Sequence, residues 1–294
     1  MALDHLRESG VVQIVGVITQ PDRPASRGVL REPAVKVAAR SMGLPVRQPA
    51  RLDDKELAAI LALRPEVLVW SAYGNKIPKA LLAAVSGRAL NVHASLLPRW
   101  RGAAPIAHAI LAGDPETGVT LMEGTAELDA GPILAQTRTK IGDETRGELE
   151  ERLAGFGGEL LERETPAYLA GKLVRRPQDL RQVTLAPRLP PREGELDLAR
   201  PAAELVRRVR AYTPDPGAFI TFRGQRIGVV RAAVAGGRGT DHGVFAIRDG
   251  TPHLAAGAGW LRLDELKPAG KRAMSGAEWA RGLRDIRPDE RVPS

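Results

Sequence analysis

The 294-residue chain contains no cysteine. This absence excludes disulfides, thiolate metal sites and a cysteine nucleophile, and it fits a reducing compartment, so we expect a cytoplasmic protein. The chain also lacks any run approaching the roughly 18 apolar residues of a membrane span. Its start lacks the basic region and apolar stretch of a signal peptide. The sequence therefore predicts neither export nor a membrane partner.

The overall composition is that of an ordinary globular protein. Apolar residues form 43% of the chain and charged residues 27%, which excludes a disordered or fibrous chain. A chain of this length is expected to form a core domain and a second, smaller domain.

Positive charge is concentrated in the second half of the chain. Residues 1–170 hold 20 basic and 21 acidic side chains, residues 171–192 hold six and one, and residues 193–294 hold 17 and 13. This distribution favours a polyanionic partner beyond residue 170, because Lys and Arg bind phosphates by displacing condensed counterions. The alternative is an arginine-rich surface that is only solvated.

Up to residue 170, apolar stretches of strand length alternate with helical stretches, which predicts an α/β domain with a parallel sheet. The predicted strands are 11–19, 66–72, 89–93, 118–123 and 132–139, and the predicted helices are 34–41, 53–63, 105–112 and 146–170. The last helix is long and amphipathic and is expected to close a first domain of residues 1–170.

A linker and a second domain are predicted after that helix. Residues 171–192 contain four prolines and little periodicity, which indicates a semi-rigid basic linker. Beyond it, the sequence predicts a helix over 201–212 and short strands over 218–222, 227–233, 243–247 and 260–266. Such strands, separated by glycine-rich turns, are typical of a small β-barrel of the oligonucleotide-binding (OB) type, here over residues 193–294.

The segment 91–105 (NVHASLLPRWRGAAP) carries the residues best suited to chemistry. If Asn91 and His93 end a strand, their side chains point to the same face, because side chains alternate along a strand. The carboxyl edge of a parallel sheet is also where α/β folds place their ligands. The alternative is that Asn91 caps a turn and His93 is a packing residue.

An amide and an imidazole together suit acyl transfer to an amine. This reaction creates an oxyanion, which Asn91 can hydrogen-bond, and it requires proton transfer, which His93 can perform near neutral pH. A third group should orient the imidazole, and the candidate is Asp129, in the segment 127–131 (ELDAG). Alternatively, Asp129 only starts a turn.

The run NxHxSLLPxxRG, followed by LDxG, resembles the folate-dependent formyltransferase superfamily. Its variant SLLPRWRGAAP, at residues 95–105, resembles the methionyl-tRNA formyltransferase family in particular. Matching segments extend along nearly the whole chain: TQPDRPASRG at 19–28, AYG at 72–74, AGDPETGV at 112–119, RAYTPDPGAF at 210–219 and LKPAGKRAMSGA at 266–277.

The resemblance implies which residues perform the chemistry and which ligands they bind. The formyl donor is 10-formyltetrahydrofolate, no metal is involved, and the acceptor is the amino group of initiator methionyl-tRNA, formylated for translation initiation. The implied catalytic residues are Asn91, His93 and Asp129, and the implied lining of the tetrahydrofolate site is Ser95, Leu96, Leu97 and Pro98.

The resemblance also implies how tRNA is bound. The loop 21–33 approaches the acceptor end, with Arg27 as the tRNA contact, and the C-terminal barrel adds further contacts. The alternative for Arg27 is a solvated loop charge. We expect a monomer.

The family fold implied by the resemblance is a Rossmann-like doubly wound parallel sheet, and this chain departs from it at the start. In the family, a first strand and a Gly-Thr-Pro loop precede the helix that leads into Val11. Here the chain begins at about that helix, so the first strand is missing. We expect a start codon further upstream, the alternative being an impaired chain. Since the first strand is central, its absence is expected to leave unpaired backbone groups and to open one wall of the cofactor site.

A second departure is the segment 122–127 (MEGTAE), where the family has a Gln-Met-Asp-rich stretch, so the contacts of that loop are in question.

The sequence also leaves other functions open. The same three residues serve formyltransferases for small-molecule amines and formyltetrahydrofolate hydrolases, but only a tRNA enzyme needs the basic barrel. A further alternative, from a different functional class, is a catalytically impaired RNA-binding module.

Overall fold

A computed structural model gives the fold of residues 2–24, 30–74, 76–237, 241–287 and 290–293. The chain divides into two compact units, and each unit is built from several stretches of sequence. The first unit comprises Met1–Pro105, Thr117–Thr139 and Glu151–Ala186, and the second comprises Ile106–Glu116, Lys140–Glu150 and Pro187–Ser294. Within the described residues, no helix combines the length and apolar character needed to cross a membrane.

Helices and strands alternate through the first part of the chain, as the sequence predicts. The helices are α1 (Ala2–Glu8), α2 (Ala34–Ser41), α3 (Asp54–Leu61), α4 (Lys79–Ala84), α5 (Pro105–Ala112) and α6 (Arg146–Leu169). The strands are β1 (Val17–Ile18), β2 (Arg23–Pro24), β3 (Leu30–Arg31), β4 (Val46–Arg47), β5 (Leu68–Ser71), β6 (Ala89–His93), β7 (Glu116–Glu123) and β8 (Ile133–Lys140).

The main sheet has the order β5-β6-β7-β8, and β1 forms a separate pair with β4. Strands β5 and β6 are parallel, as are β1 and β4, whereas β7 runs antiparallel to β6. The α/β class with parallel pairing is thus confirmed, with an antiparallel strand added beyond β6. Strands β2 and β3 form a short antiparallel pair.

A cavity of about 800 Å³ lies between β1 and β5. Consecutive residues of both segments, 12–20 and 67–73, line it. Within the described residues, β1 pairs only with β4, and β5 only with β6, so each of the two strands has one unpaired edge. The described sheet is therefore interrupted between β1 and β5.

The strand predicted over 11–19 is much shorter in the structure, and this prediction was wrong in length. Only Val17 and Ile18 pair, with Val46 and Arg47 of β4. The other edge of β1 has no partner strand among the described residues. Because a strand extends only where neighbouring strands bond its backbone, β1 stays short. Just beyond the carboxyl ends of β1 and β5, Gln20 Nε2 donates a hydrogen bond of 2.8 Å to the carbonyl oxygen of Tyr73.

Helix α6 fixes the position of β6. A Cβ on Gly157 would lie 2.7 Å from Val92 Cγ1, so the helix passes this strand at close contact. Near its end, the buried Tyr168 hydroxyl accepts a hydrogen bond of 3.0 Å from the backbone N–H of Ala89, the first residue of β6. Burial raises the pKa of the Tyr168 hydroxyl, which therefore stays protonated and lies 3.1 Å from Glu123 Oε1.

The C-terminal part of the chain forms an antiparallel β domain, as predicted. Its strands are β9 (Ala218–Phe222), β10 (Gln225–Ala235), β11 (Phe245–Arg248), β12 (Thr251–Ala255), β13 (Trp260–Pro268) and β14 (Met274–Ser275), and its helices are α7 (Ala202–Tyr212) and α8 (Gly276–Arg281). The strand order is β11-β12-β13-β10-β9, with β14 on β13. Strand β12 was not predicted, because Pro252 and His253 interrupt its apolar pattern.

The substitution Tyr168→Phe tests the support that α6 gives to β6. It leaves the buried N–H of Ala89 without an acceptor, so we expect the free energy of unfolding to fall by about 1–3 kcal/mol. Urea titration measures this change. The control Glu159→Ala, at an exposed position of α6, should shift it by less than about 0.5 kcal/mol. Equal losses in both variants would contradict a specific role for the hydroxyl.

Candidate active site

Strand β6 carries the amide and the imidazole into the interior of the first unit. Asn91 and His93 are the third and fifth residues of the strand and are 6% and 7% exposed. Asn91 pairs in register with Met122 of β7, and His93 with Thr120. Their two-residue spacing places both side chains on one face at the carboxyl end of the strand, as predicted.

Asp129 brings a carboxylate to the same point from the loop between β7 and β8. Its backbone is left-handed, with φ of 50°, and its side chain is buried. Oδ1 accepts a hydrogen bond of 3.1 Å from Asn91 Nδ2, and Oδ2 accepts one of 2.9 Å from the backbone N–H of Gly102. Oδ1 also lies 3.6 Å from His93 Nδ1. The structure therefore brings the three predicted catalytic side chains together.

The orientation of the imidazole is set by a backbone carbonyl. His93 Nε2 lies 2.8 Å from the oxygen of Trp100. Since a carbonyl oxygen only accepts, Nε2 carries the hydrogen, and in the neutral ring the free lone pair is on Nδ1. Nδ1 faces Asp129 at a distance beyond hydrogen bonding, so the carboxylate acts on it as a neighbouring charge. Trp100 is itself left-handed (φ of 65°), and its N–H donates to Thr184 Oγ1.

Two motif glycines allow the loops to come this close. Gly102 has φ of 125°, and a Cβ there would lie 2.6 Å from the carbonyl oxygen of Ala186. A Cβ on Gly131 would overlap the carbonyl oxygen of Glu123. The glycines of the RG and LDxG motifs are therefore required by close backbone contacts.

Residues 176–186 cross both loops, and we call this segment the strap. At one end, Arg176 and Ile133 exchange backbone hydrogen bonds of 2.8 and 3.0 Å. At the other, the Arg101 N–H donates to Thr184 and its carbonyl accepts from Ala186. Between these ends, Gln178 bonds both loops with its side chain. Sequence analysis missed this role, because the strap lies within the predicted linker and its prolines suggest only an irregular connection.

The four residues predicted to line the folate site fall into two groups. Ser95 and Leu97 are buried within the protein: the Ser95 hydroxyl donates to the carbonyl of Arg99 at 2.6 Å, and Leu97 packs with Met122 and Ile133. Leu96 and Pro98 are partly exposed.

Two other predictions concern tRNA and metal. Arg27, the predicted tRNA contact, lies outside the described residues. Among the residues that the structure does describe, no three His, Asp or Glu side chains are grouped to hold a metal ion.

Comparison with known families defines the class of this fold and site. The family model described as formyl transferase matches residues 1–165, and the model described as the formyl transferase C-terminal domain matches residues 188–284. Fold and site together are those of a formyl transferase.

Curated relatives narrow the class. The methionyl-tRNA formyltransferase of Halorhodospira halophila is 46% identical over 286 residues, covering 96% of this chain and 92% of the relative. That of Myxococcus xanthus is 46% identical over 272 residues, covering 92% of this chain and 87% of the relative. The chain belongs to the methionyl-tRNA formyltransferase family.

Solved structures share the fold at low sequence identity. An N-formyltransferase from Helicobacter canadensis, in complex with folinic acid and dTDP-3-aminofucose, has a TM-score of 0.66 and 13% identity, with 89% of this chain and 93% of that chain covered. HypX from Aquifex aeolicus, in complex with tetrahydrofolic acid, has a TM-score of 0.64 and 18% identity. That match covers 90% of this chain but only 46% of HypX.

The substitution Asp129→Asn tests the carboxylate at nearly constant shape. Two donors bind its two oxygens, and an amide has only one acceptor oxygen, so Asn must leave one donor opposed by its own NH₂ group. We expect turnover in formyl transfer to fall on the order of 100-fold or more, with tetrahydrofolate affinity nearly unchanged. Single-turnover kinetics and calorimetric titration measure the two quantities. Glu127→Gln, the same chemical change at an exposed position of this loop, is the control and should leave both unchanged. Equal losses of turnover and affinity in Asp129→Asn would contradict a role of the carboxylate in the chemical step.

Proposed function

We propose that this chain transfers a formyl group from 10-formyltetrahydrofolate to the amino group of initiator methionyl-tRNA, in the cytoplasm and as a monomer. The observation that carries the proposal is the convergence of Asn91, His93 and Asp129 at the carboxyl end of β6, in a chain of this family. An amide donor, a titratable imidazole and a fixed carboxylate are the groups that acyl transfer to an amine requires.

The three side chains divide the reaction between them. The amine nitrogen attacks the formyl carbon, a C–N bond forms, and the carbonyl oxygen becomes an oxyanion. Asn91 uses one amide hydrogen on Asp129, and the other is left for the oxyanion. His93 Nδ1 takes a proton from the attacking nitrogen and returns it to the folate nitrogen as the bond between that nitrogen and the formyl carbon breaks. Asp129 stabilises the imidazolium that forms in between.

Folate binding is assigned to the segment 95–98. Its partly exposed side chains, Leu96 and Pro98, are the ones that can contact the pterin. Ser95 and Leu97 support them from inside, since the Leu97 N–H donates to Thr120 Oγ1 and the Leu97 carbonyl accepts from Gln136 Nε2. The donor site is thereby attached to β7, the strand that pairs with β6 beside His93.

We assign catalysis to residues 1–170 and tRNA binding to the basic residues beyond, 171–192 as a linker and 193–294 as the tRNA-binding domain. Arg27 is retained as a contact for the acceptor end. The regional charge supports this division, because residues 1–170 carry 20 basic and 21 acidic side chains, whereas residues 171–294 carry 23 basic and 14 acidic ones. Residues 188–284 also match the family's C-terminal domain.

One face of the C-terminal sheet has the chemistry of a nucleic-acid contact. Lys267 and Phe219 flank Gly228 in register on β13 and β9, so their side chains share a face. Arg226, two residues before Gly228, lies on the same face, with its guanidinium 3.7 Å from the Phe219 ring centroid. Among the described residues, no carboxylate pairs with Arg226 or Lys267. Exposed cations beside an aromatic ring bind phosphates and stack on bases.

The substitution Arg226→Ala tests this face. It removes a cation that is available to phosphate, so we expect tRNA affinity to fall several-fold and the slope of log affinity against log salt to decrease by about one. Filter binding over a range of salt concentrations measures both. The control Arg291→Ala removes the same charge from a guanidinium already paired with Asp241 at 2.9 Å, and its slope should match the wild type. Identical slopes in all three proteins would remove this face from the tRNA interface.

The substitution His93→Ala tests the proposed reaction. With 10-formyltetrahydrofolate and initiator methionyl-tRNA, the wild type should formylate the tRNA, and the variant should be slower on the order of 100-fold or more, because the proton carrier is lost. His242→Ala, at an exposed position, is the control and should retain wild-type activity. An inactive wild type that still binds tRNA would identify an impaired RNA-binding module. Formylation of a small amine in preference to the tRNA would identify the other formyltransferase class.

A further inference from the structure

We infer that Gln178 is a positioning residue for formyl transfer, acting through Asp129. The inference rests on the proposed function and extends it to a side chain of the strap, 49 residues along the chain from Asp129, whose main-chain carbonyl it bonds. Gln178 is 8% exposed, and its amide lies between the two loops that meet at the active site.

Every hydrogen-bonding group of the Gln178 amide is used. Its Nε2 donates both hydrogens, to the carbonyl oxygens of Asp129 at 2.9 Å and Gly131 at 2.8 Å. Its Oε1 accepts from Arg101 Nε at 2.9 Å and Nη2 at 2.7 Å. A glutamine amide offers two donors and one oxygen with two lone pairs, so the side chain is fully satisfied in this position.

These bonds close a ring through the catalytic carboxylate. The Asp129 side chain accepts from the N–H of Gly102, the residue that follows Arg101. The Arg101 side chain donates to Gln178, and Gln178 donates back to the Asp129 main chain. The side chain and the backbone of Asp129 are therefore held from the same neighbouring loop, one directly and the other through Gln178.

The ring fixes a backbone that is otherwise costly. Asp129 has φ of 50°, a left-handed conformation that non-glycine residues adopt only when the surroundings enforce it. By bonding the carbonyls on either side of Ala130, Gln178 prevents the peptide planes of this turn from rotating. The direction of the Asp129 side chain, and its distance to His93 Nδ1, depend on those planes. A misplacement of about 1 Å in such a group can lower a rate on the order of 100-fold.

Substitution at Gln178 separates positioning from simple stabilisation. Gln178→Met keeps the length of the side chain and removes all four bonds, while Gln178→Glu keeps the attraction for Arg101 but has no hydrogens for the two carbonyls. We expect kcat for formyl transfer to fall about 10- to 100-fold in both variants, with KM for folate and tRNA within about threefold of the wild type. Gln182→Met, the same change at an exposed position of the strap, is the control and should keep wild-type kcat.

A double-mutant cycle with Asp129→Asn shows whether the effect passes through the carboxylate. If it does, adding Gln178→Met to Asp129→Asn lowers kcat by less than about twofold further, because the positioned group is already lost. Multiplicative effects of the two substitutions, or a normal kcat in Gln178→Met and Gln178→Glu, would overturn the inference.

Hydrogen exchange gives a readout that does not depend on turnover. The backbone amides of residues 127–131 should exchange faster in Gln178→Met than in Gln182→Met, while those of β6 stay protected. Unchanged exchange in 127–131 would overturn the inference, and so would a general loss of protection in both Gln178 variants, which indicates a structural role. An inactive wild type with this exchange pattern intact refutes the proposed reaction and, with it, the catalytic part of the inference.

Discussion

The site depends on one buried carboxylate that is bonded at both oxygens. Asp129 accepts from the Asn91 amide at Oδ1 and from the Gly102 N–H at Oδ2, with His93 close to the first oxygen. A buried carboxylate is stable only when donors or positive charge replace the water that it loses. These contacts therefore tie the Asp129 carboxylate to β6 and to the loop that carries Gly102. If either segment moved, one carboxylate oxygen would lose its donor, so the same two hydrogen bonds hold the segments together.

Close backbone approach makes this bonding possible. Gly131 packs against the carbonyl of Glu123, Gly102 packs against Ala186, and neither position has room for a side chain. The strap supplies the other half of the support, because it bonds the loop of Asp129 on one side and the loop of Gly102 on the other. The three predicted catalytic side chains are held by main-chain contacts between segments far apart in sequence. This explains why the motif contains glycines at positions that have no chemical role.

Much of this arrangement follows from the sequence, and the exceptions have physical causes. The strand 89–93 and the helices 34–41 and 105–112 have the predicted bounds, since each has a clear period and clear ends. The same-face placement of Asn91 and His93 follows from strand geometry alone. The carbonyl of Trp100 and the N–H of Gly102 could not be predicted as partners, because backbone groups leave no trace in residue identity. Gln178 has no local pattern that marks it. The strand 11–19 was overestimated because an apolar run does not reveal whether a partner strand is present.

One side-chain contact connects the interrupted part of the sheet with the active site. The three converging side chains are held by β6, the loop after β7 and the strap, and none of these bonds involves β1. The gap between β1 and β5 therefore does not touch the bonds that hold these three side chains. Strand β5 separates β6 from the cavity, and Trp70 of β5 both lines that cavity and packs against Gly124, where the loop that ends in Asp129 begins. The contact between Trp70 and Gly124 is thus the point at which packing beside the cavity reaches the loop that carries Asp129.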